Sequence, residues 1–409
     1  MNTVRKMLLT ALAMCAVELS AFTPERGPWL TNPGDTNIAV NFVMKDAEAK
    51  EYTVEVAEQG KVISTVKTQA FDVDAEKKLY YAEIKDLKAG TTYTYTLIAP
   101  DKNRSASKTF TTFSSADKEY TVFVNSDIHN RSSLLAHMMQ YGKRADSALY
   151  VLLGDQIANR IDENPYSTIM GGFLTDLTRS AEGKFPVVVL RGNHECRGKN
   201  THVWNNFFPA PENRTYYSTR LGNTFYLFLD SADADTNKIR DAIYPAQREW
   251  IKKELESEPC RTATFRVVMI HYPTHAMNEK IVNLSSGKLL GDLLKSTDPA
   301  KRFHLMLSGH RHRYVRTDAG SAAFKVNDSA FEDSVAGNPG KDYPYSLVLL
   351  DGRGNGGVEY NYVLIKNSKD KLHVQSLDHK NNKIDEFAIA PDGKVTDLIK
   401  VAEFPAGTN

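Results

Sequence analysis

From residue 120 to residue 307 the chain repeats one pattern, a short, mostly apolar run followed by a small polar cluster. The runs are 120–124, 148–153, 185–190, 224–229, 265–270 and 303–307. Apolar stretches of this length without polar alternation read as strands buried on both faces, which need cover on both sides. Amphipathic segments between several of them supply that cover. The clearest is 245–256, where Pro245 suits a first helical turn and Trp250, Ile251 and Leu255 share one side. Past Ser321 the strands alternate and read as hairpins, at 346–350, 360–365, 372–376 and 384–389. The expected fold class is α/β: two mixed sheets packed as a sandwich, flanked by helices, with the loops gathered at one edge.

Residues 26–113 differ in kind. Runs 37–44, 51–56, 62–68, 79–84, 92–97 and 108–113 are rich in Val, Thr and Tyr, and turn residues such as Asn32-Pro33-Gly34 and Lys88-Ala89-Gly90 separate them. This predicts an all-β, immunoglobulin-like sandwich ahead of the α/β part. Arg5 and Lys6 precede an apolar stretch from Met7 to Val17, shorter than the roughly 20 residues that span a bilayer, which predicts an export signal ending near Ser20-Ala21. Cys15 after Leu12-Ala13-Met14 weakly resembles a lipoprotein box and keeps lipid anchoring open beside cleavage. The expected location is periplasmic or secreted. The expected order is signal 1–21, sandwich 22–113, linker 114–119, α/β domain 120–395 and tail 396–409. A net charge of +1 points to no basic surface for nucleic-acid phosphates, although a local patch is compatible with a neutral total, and no later segment reads as transmembrane. Cys196 and Cys260, which remain after the signal, make no disulfide framework, and their pairing is open.

The polar clusters carry the chemistry. They are Asp127-Ile128-His129, Gly154-Asp155, Gly192-Asn193-His194-Glu195, His271 and Gly309-His310-Arg311-His312. Asp127 and His129, two apart at a strand end, can turn toward one point above the sheet. Asp155 has two oxygens and can bridge two cations. Asn193 offers a neutral oxygen, and His271, His310 and His312 offer imidazole nitrogens. Mixed N and O donors suit Zn, Mn or Fe more than Ca or Mg. Two cations about 3.5–4 Å apart can clamp an ester's oxygens. Taken singly, each piece is ordinary, because a lone buried histidine is usually a hydrogen-bonded core group and Gly-Asn or Gly-His marks turns. His137, His202, His304, His373 and His379 read that way. His275, four residues past His271, reads either as a substrate contact or as a loop cap. Cys196 reads as a packed residue, since zinc thiolate sites pair their cysteines at short spacing.

In order and spacing the clusters resemble the calcineurin-like metallophosphoesterase superfamily, whose pattern is D-x-H, GD, GNH-D/E, H and G-H-x-H, over residues 120 to about 390. The resemblance implies two metal ions, of Fe, Mn or Zn. One would be held by Asp127, His129, Asp155 and His312, the other by Asp155, Asn193, His271 and His310. It implies a metal-bound hydroxide attacking phosphorus, with His194 protonating the leaving oxygen or steadying the transition state and Glu195 orienting His194. Within the superfamily the chain is most similar to the purple acid phosphatase branch. Gly27-Pro28-Trp29-Leu30 opens a sandwich, Gln247-x-x-Trp250-Ile251 precedes the His271 strand, and Gly309-His310-Arg311-His312-Arg313-Tyr314-Val315-Arg316 is close to that branch's G-H-x-H-x-Y-E-R. The segment 86–93 resembles the corner before a late strand of fibronectin type III modules. The run 190–197 locally resembles protein Ser/Thr phosphatases, although Ala158-Asn159-Arg160 stands where they carry Asp-Arg-Gly. Arg160 and Arg197 are candidate phosphate ligands, since a guanidinium grips two phosphate oxygens.

Three functions follow as expectations. The first is a phosphatase acting on small phosphoesters. The second is a phosphodiesterase on nucleotides or lipid head groups, its scope set in loops 162–175 and 233–244. The third is a cell-surface binding protein on a relict metal fold, which would carry a broken ligand position, and none is broken. The purple branch places a metal-binding tyrosine three residues after the Asp of its second motif, where this chain has Ala158. His129 would fill that vacancy, as in other branches. The purified, metal-loaded protein is therefore expected to be colourless, and a visible charge-transfer band would contradict this.

Overall fold

The computed structural model describes residues 22–114, 119–162, 166–231, 238–275, 290–321, 323–326, 341–350 and 360–405. The expected signal with Cys15, most of the linker, and parts of both loops expected to set substrate scope lie outside these residues.

Among the described residues, two sheets carry the α/β part. One has the order Val187–Val189, Ser147–Leu152, Tyr120–Asn125, Asn361–Asn367, Leu372–Asp378, Lys383–Ile389, Val395–Asp397, its first three strands parallel. In the other, Thr224–Phe228, Phe265–Met269, Leu305–Ser308 and Ser346–Leu349 run parallel, edged by the antiparallel strand Tyr217–Leu221. Side chains alternate across each strand, so a mostly apolar run feeds two cores. Val122, Val124, Leu149 and Val151 meet Phe228, Val267, Met269 and Leu305 between the sheets. Phe123, Tyr150 and Leu152 face outward, onto Leu135, Met138 and Met139 of the helix Ser132–Arg144 and Leu177 of the helix Thr175–Ala181. On the far side Phe225, Leu227 and Val268 pack against Tyr244, Ile251 and Leu255. This is the expected class.

The helix expected at 245–256 differs. It runs Lys238–Glu254, with Pro245 inside it. Proline removes one helical N–H bond. Tertiary contacts on both sides of it hold the turns: Tyr244 Oη donates to Ser231 O at 2.6 Å, and the Gln247 amide pairs both backbone groups of Asp230 at 2.9 Å. Glu403–Pro405 pairs with Ala323–Val326, so part of the stretch expected as a tail joins the second sheet. No helix among the described residues is long and apolar enough to cross a membrane.

The N-terminal part is a sandwich of two four-stranded sheets, ordered Arg26–Thr31, Ile38–Met44, Lys77–Ile84, Gln69–Asp74 and Lys61–Lys67, Thr53–Glu58, Thr92–Ile98, Lys108–Thr111. Leu30, Val40, Phe42, Val54, Tyr80 and Leu97 fill the space between them. The opposite face of the first sheet is not solvated. Its Trp29, Val43, Leu79 and Tyr81 join the outer core of the α/β part with Trp204 and Phe207. Trp29 Nε1 donates to Phe207 O at 3.3 Å, Tyr95 Oη to Gly183 O at 2.7 Å, and Arg26 Nε to Thr175 Oγ1 at 3.0 Å. The sandwich is thus welded to the helical layer. Because Trp29 is fully buried at this junction, Trp29→Ala is expected to cost about 3–5 kcal/mol. Denaturant unfolding checks this; an unchanged midpoint would show that the junction carries no stability.

Candidate metal centre

The parallel strands of both sheets point their C-terminal ends at one edge, where ligands bind in open α/β sheets. Asp127 follows the strand ending at Asn125, Asp155 the one ending at Leu152, His271 the one ending at Met269, and His310 the one ending at Ser308. Asn193 lies four residues past Val189. The chain must turn sharply at each exit. Asp127, His129, Asp155, His310 and His312 all take left-handed φ, between 48° and 70°. That conformation costs a non-glycine residue roughly 1–2 kcal/mol, and such strain gathers at functional sites. Close approach of the loops also demands glycine. A Cβ on Gly309 would meet Ser126 Oγ at 1.9 Å and Asp127 Oδ2 at 2.2 Å, and one on Gly192 would meet Asp155 Oδ1 at 2.2 Å.

The side chains converge in two groups around Asp155. Ligand atoms of Asp127, His129, Asp155 and His312 lie within 4.8 Å of one another, as do those of Asp155, His271 and His310. Asp155 Oδ2 is 3.4 Å from His129 Nε2 and 3.3 Å from His271 Nε2, and Asp127 Oδ1 is 3.2 Å from His312 Nε2. Asn193 Oδ1 sits 3.3 Å from His271 Nε2 and 3.1 Å from His310 Nδ1.

Second contacts settle what these nitrogens offer. His271 Nδ1 faces Leu153 O at 3.0 Å and His129 Nδ1 faces Asp127 O at 2.9 Å, so each Nδ1 carries a proton and each ring, when neutral, aims a lone pair inward. His129 Nε2 is buried without a hydrogen-bond partner. Asn193 Oδ1 faces imidazole nitrogens and the Asp155 carboxylate. Turning its amide over would relieve that crowding and give Arg197 Nη2 an acceptor at 2.9 Å. The unturned amide is favourable when a cation lies among those atoms. A buried set of lone pairs with an orphaned imidazole nitrogen fits a metal pair chemically.

The electrostatics agree. Burial opposes ionisation of Asp155, yet His271 and His129 hold it well below the usual carboxylate range, and His271 and His312 likewise lower Asp127. Burial disfavours a charged His271, but Asp155 and Asp127 outweigh it and lift the ring to about 9. Burial, with His271 beside it, pushes His310 down to about 3.

Two side chains meet partners that the sequence did not indicate. Glu195 does not orient His194. Its oxygens accept from the backbone N–H groups of Asp155, Gln156, Ile157 and Gly192. Burial pushes its carboxyl up to about 7, with Asp155 adding, while those N–H donors pull the other way. The His194 ring is set instead by Ala158 O, 2.9 Å from Nδ1, and by Arg197 Nη1, 2.9 Å from Nε2. Burial lowers its pKa. His275 sits in a hydrogen-bonded aromatic pocket. It is buried, its nitrogens lie 3.1 Å from Thr274 Oγ1 and Thr317 Oγ1, and its ring stacks on Tyr343 at 4.0 Å. Thr317 and Tyr343, from distant segments, help enclose it, which spacing from His271 could not reveal.

Arg197 reaches the cluster through His194, whereas Arg160 forms an exposed ion pair with Asp162 at 2.9 Å. Cys196 and Cys260 are free and buried. Two neighbours had no sequence signal beyond adjacency. Tyr272 stacks on His310 at 3.8 Å, and the buried Arg191–Asp230 ion pair braces the loop that carries Asn193.

The chain is similar to several known proteins. Purple acid phosphatase 22 of Arabidopsis thaliana is 22% identical over 303 residues, which cover 69% of this chain and 64% of that protein, so the chain spans less than two thirds of that relative's length. A crystal structure of a dimetal phosphatase from Danio rerio aligns at 12% identity and a TM-score of 0.46, covering 66% of this chain and 98% of that one. The family model for calcineurin-like phosphoesterases matches residues 120–314, from the first strand before Asp127 to just past His312.

Proposed function

We propose that the chain is a binuclear metal-dependent phosphatase acting on small phosphate monoesters. One observation carries the reading: Asp155 Oδ2 lies 3.3 Å from His271 Nε2 and 3.4 Å from His129 Nε2, so one carboxylate faces both groups of donors. The match of residues 120–314 to the calcineurin-like phosphoesterase model and the likeness to a purple acid phosphatase support the reaction class. We assign Asp127, His129, Asp155 and His312 to one ion and Asp155, Asn193, His271 and His310 to the other, with Fe, Mn or Zn as candidates. When bound, the ions supply Lewis acidity that polarises phosphoryl oxygens and lowers the pKa of water.

The chain's own residues do the rest. With Nδ1–H given to Ala158 O, His194 keeps Nε2 as its working nitrogen, 3.8 Å from Asp155 Oδ2. Arg197 now donates to that nitrogen. A phosphoryl group is a stronger acceptor for a guanidinium than a neutral imidazole. We therefore assign Arg197 to the non-bridging phosphate oxygens, and His194 to the leaving oxygen, which Nε2 would protonate after it is released from Arg197 and takes up a proton from solvent. Residues 120–395 form the catalytic unit in this reading, 22–113 a fibronectin III-like support, and 1–21 an export signal.

Chelation is expected to abolish turnover of p-nitrophenyl phosphate, and Asp155→Asn to lower it by more than about 100-fold. The bis-substituted diester is expected to react more slowly. Turnover that survives both chelation and Asp155→Asn would sink the assignment, and faster diester turnover would shift it to a phosphodiesterase.

His275 serves as an internal control. Burial pushes it down to about 3, so the folded ring stays neutral while the unfolded ring protonates near 6.5. The unfolded chain then binds the extra proton, and stability is full above pH 6.5 and falls as pH drops toward 3. The slope reaches about 1.4 kcal/mol per pH unit. His275→Gln is expected to flatten this acid loss in unfolding midpoints while leaving KM within about twofold. A large KM change would place His275 at the site.

A further inference from the structure

Glu195 has a structural setting that neither metal binding nor proton transfer explains. It is fully buried, and among the described residues its side chain meets only backbone donors. Oε2 accepts from Asp155 N at 2.8 Å and Gly192 N at 2.7 Å, and Oε1 from Gln156 N at 2.8 Å and Ile157 N at 3.2 Å. Three donors belong to the turn that carries Asp155 and the fourth to the turn that carries Asn193. The link is returned, because His194 N donates to Asp155 Oδ1 at 2.9 Å. That bond leaves Oδ2 as the oxygen facing His129 and His271.

We infer that Glu195 is a positioning residue for the Asp155 carboxylate, a buried clamp that ties two strand-end turns together and so sets both metal positions at once. The inference rests on the binuclear reading above. Its physical basis is the backbone of Asp155, whose φ of 52° is a conformation an L-residue leaves unless its surroundings hold it. Four N–H groups meeting the two oxygens of one carboxyl supply that hold, since those oxygens offer about four lone-pair positions. Without the clamp the turn relaxes and Asp155 Oδ2 moves from both donor groups together. A partner of His194 would instead touch the ring, which Ala158 O and Arg197 already occupy.

The test is Glu195→Gln in the full chain, stripped of metal and titrated calorimetrically with Zn(II). Whichever way the new amide turns, its NH2 faces two N–H donors. The expected result is two ions per wild-type chain and a loss of affinity for both ions in E195Q of about 10–100-fold. His194→Ala is expected to keep wild-type zinc affinity and lose turnover. A residue of merely structural value would lower the melting temperature without weakening zinc binding by the folded protein. E195Q that binds both ions as tightly as wild type, whatever its turnover, overturns the inference. Should E195Q fail to fold, amide hydrogen exchange on the metal-free wild type decides. Slow exchange at Asp155, Gln156, Ile157 and Gly192 supports the clamp, and exchange at open-loop rates overturns it. A wild type that takes up no zinc refutes the binuclear reading separately, and the exchange rates still decide whether the clamp exists.

Discussion

The structure turns on a repulsion. Within a few ångströms of Asp155 Oδ2 lie lone pairs from His129 Nε2, His271 Nε2 and Asn193 Oδ1, with a second carboxylate at Asp127 close by. Buried acceptors facing one another without a donor are unfavourable, and the cost of leaving such groups unsatisfied is about 1–3 kcal/mol each. Protonating His271 relieves part of the crowding, which is why its pKa rises against the pull of burial. A pair of cations relieves all of it. The arrangement is therefore one that the fold holds ready for charge and that protons only partly satisfy.

Holding it ready takes rigidity, and the architecture supplies it in layers. Parallel strands buried on both faces fix where each turn leaves the sheet. Glycines at 192 and 309 let neighbouring turns approach within contact distance of ligand oxygens. Buried ion pairs and amides brace the turns from behind: Arg191 on Asp230, and Gln247 on the Asp230 backbone. Farther out, buried Arg316 ties its strand to Asp385 at 2.7 Å, so the last hairpins are anchored to the second sheet. The N-terminal sandwich, through Trp29 and Tyr95, packs on the helical layer that covers the first sheet. Strain at five left-handed residues is spread over all of these supports.

The sequence exposed the parts of this design that repeat. Mostly apolar runs marked the central strands within one or two residues, and the polar clusters stood at their ends because parallel sheets deliver loops to one edge. What escaped was whatever depended on partners distant in sequence. The strands Arg26–Thr31 and Gln69–Asp74 carry mixed patterns, since the face of their sheet turned away from the sandwich core is covered by the α/β part. Three-residue strands such as Val315–Thr317 are too short to show a period. The helix through Pro245 starts earlier than proline chemistry suggests, because side-chain contacts to Asp230 and Ser231 override a local preference. Glu195 was legible as a buried acid beside a ligand, but its four donors are backbone groups, to which sequence motifs are blind. The reading of His275 stayed open in the sequence because its partners Thr317 and Tyr343 come from distant segments.

The most direct test of the central claim is an anomalous-scattering map from a crystal of the protein grown with Mn or Zn. The account predicts two peaks per chain, one among Asp127, His129, Asp155 and His312 and the other among Asp155, Asn193, His271 and His310, with the Asp155 carboxylate between them. A single peak, or two peaks that do not share Asp155, would contradict it.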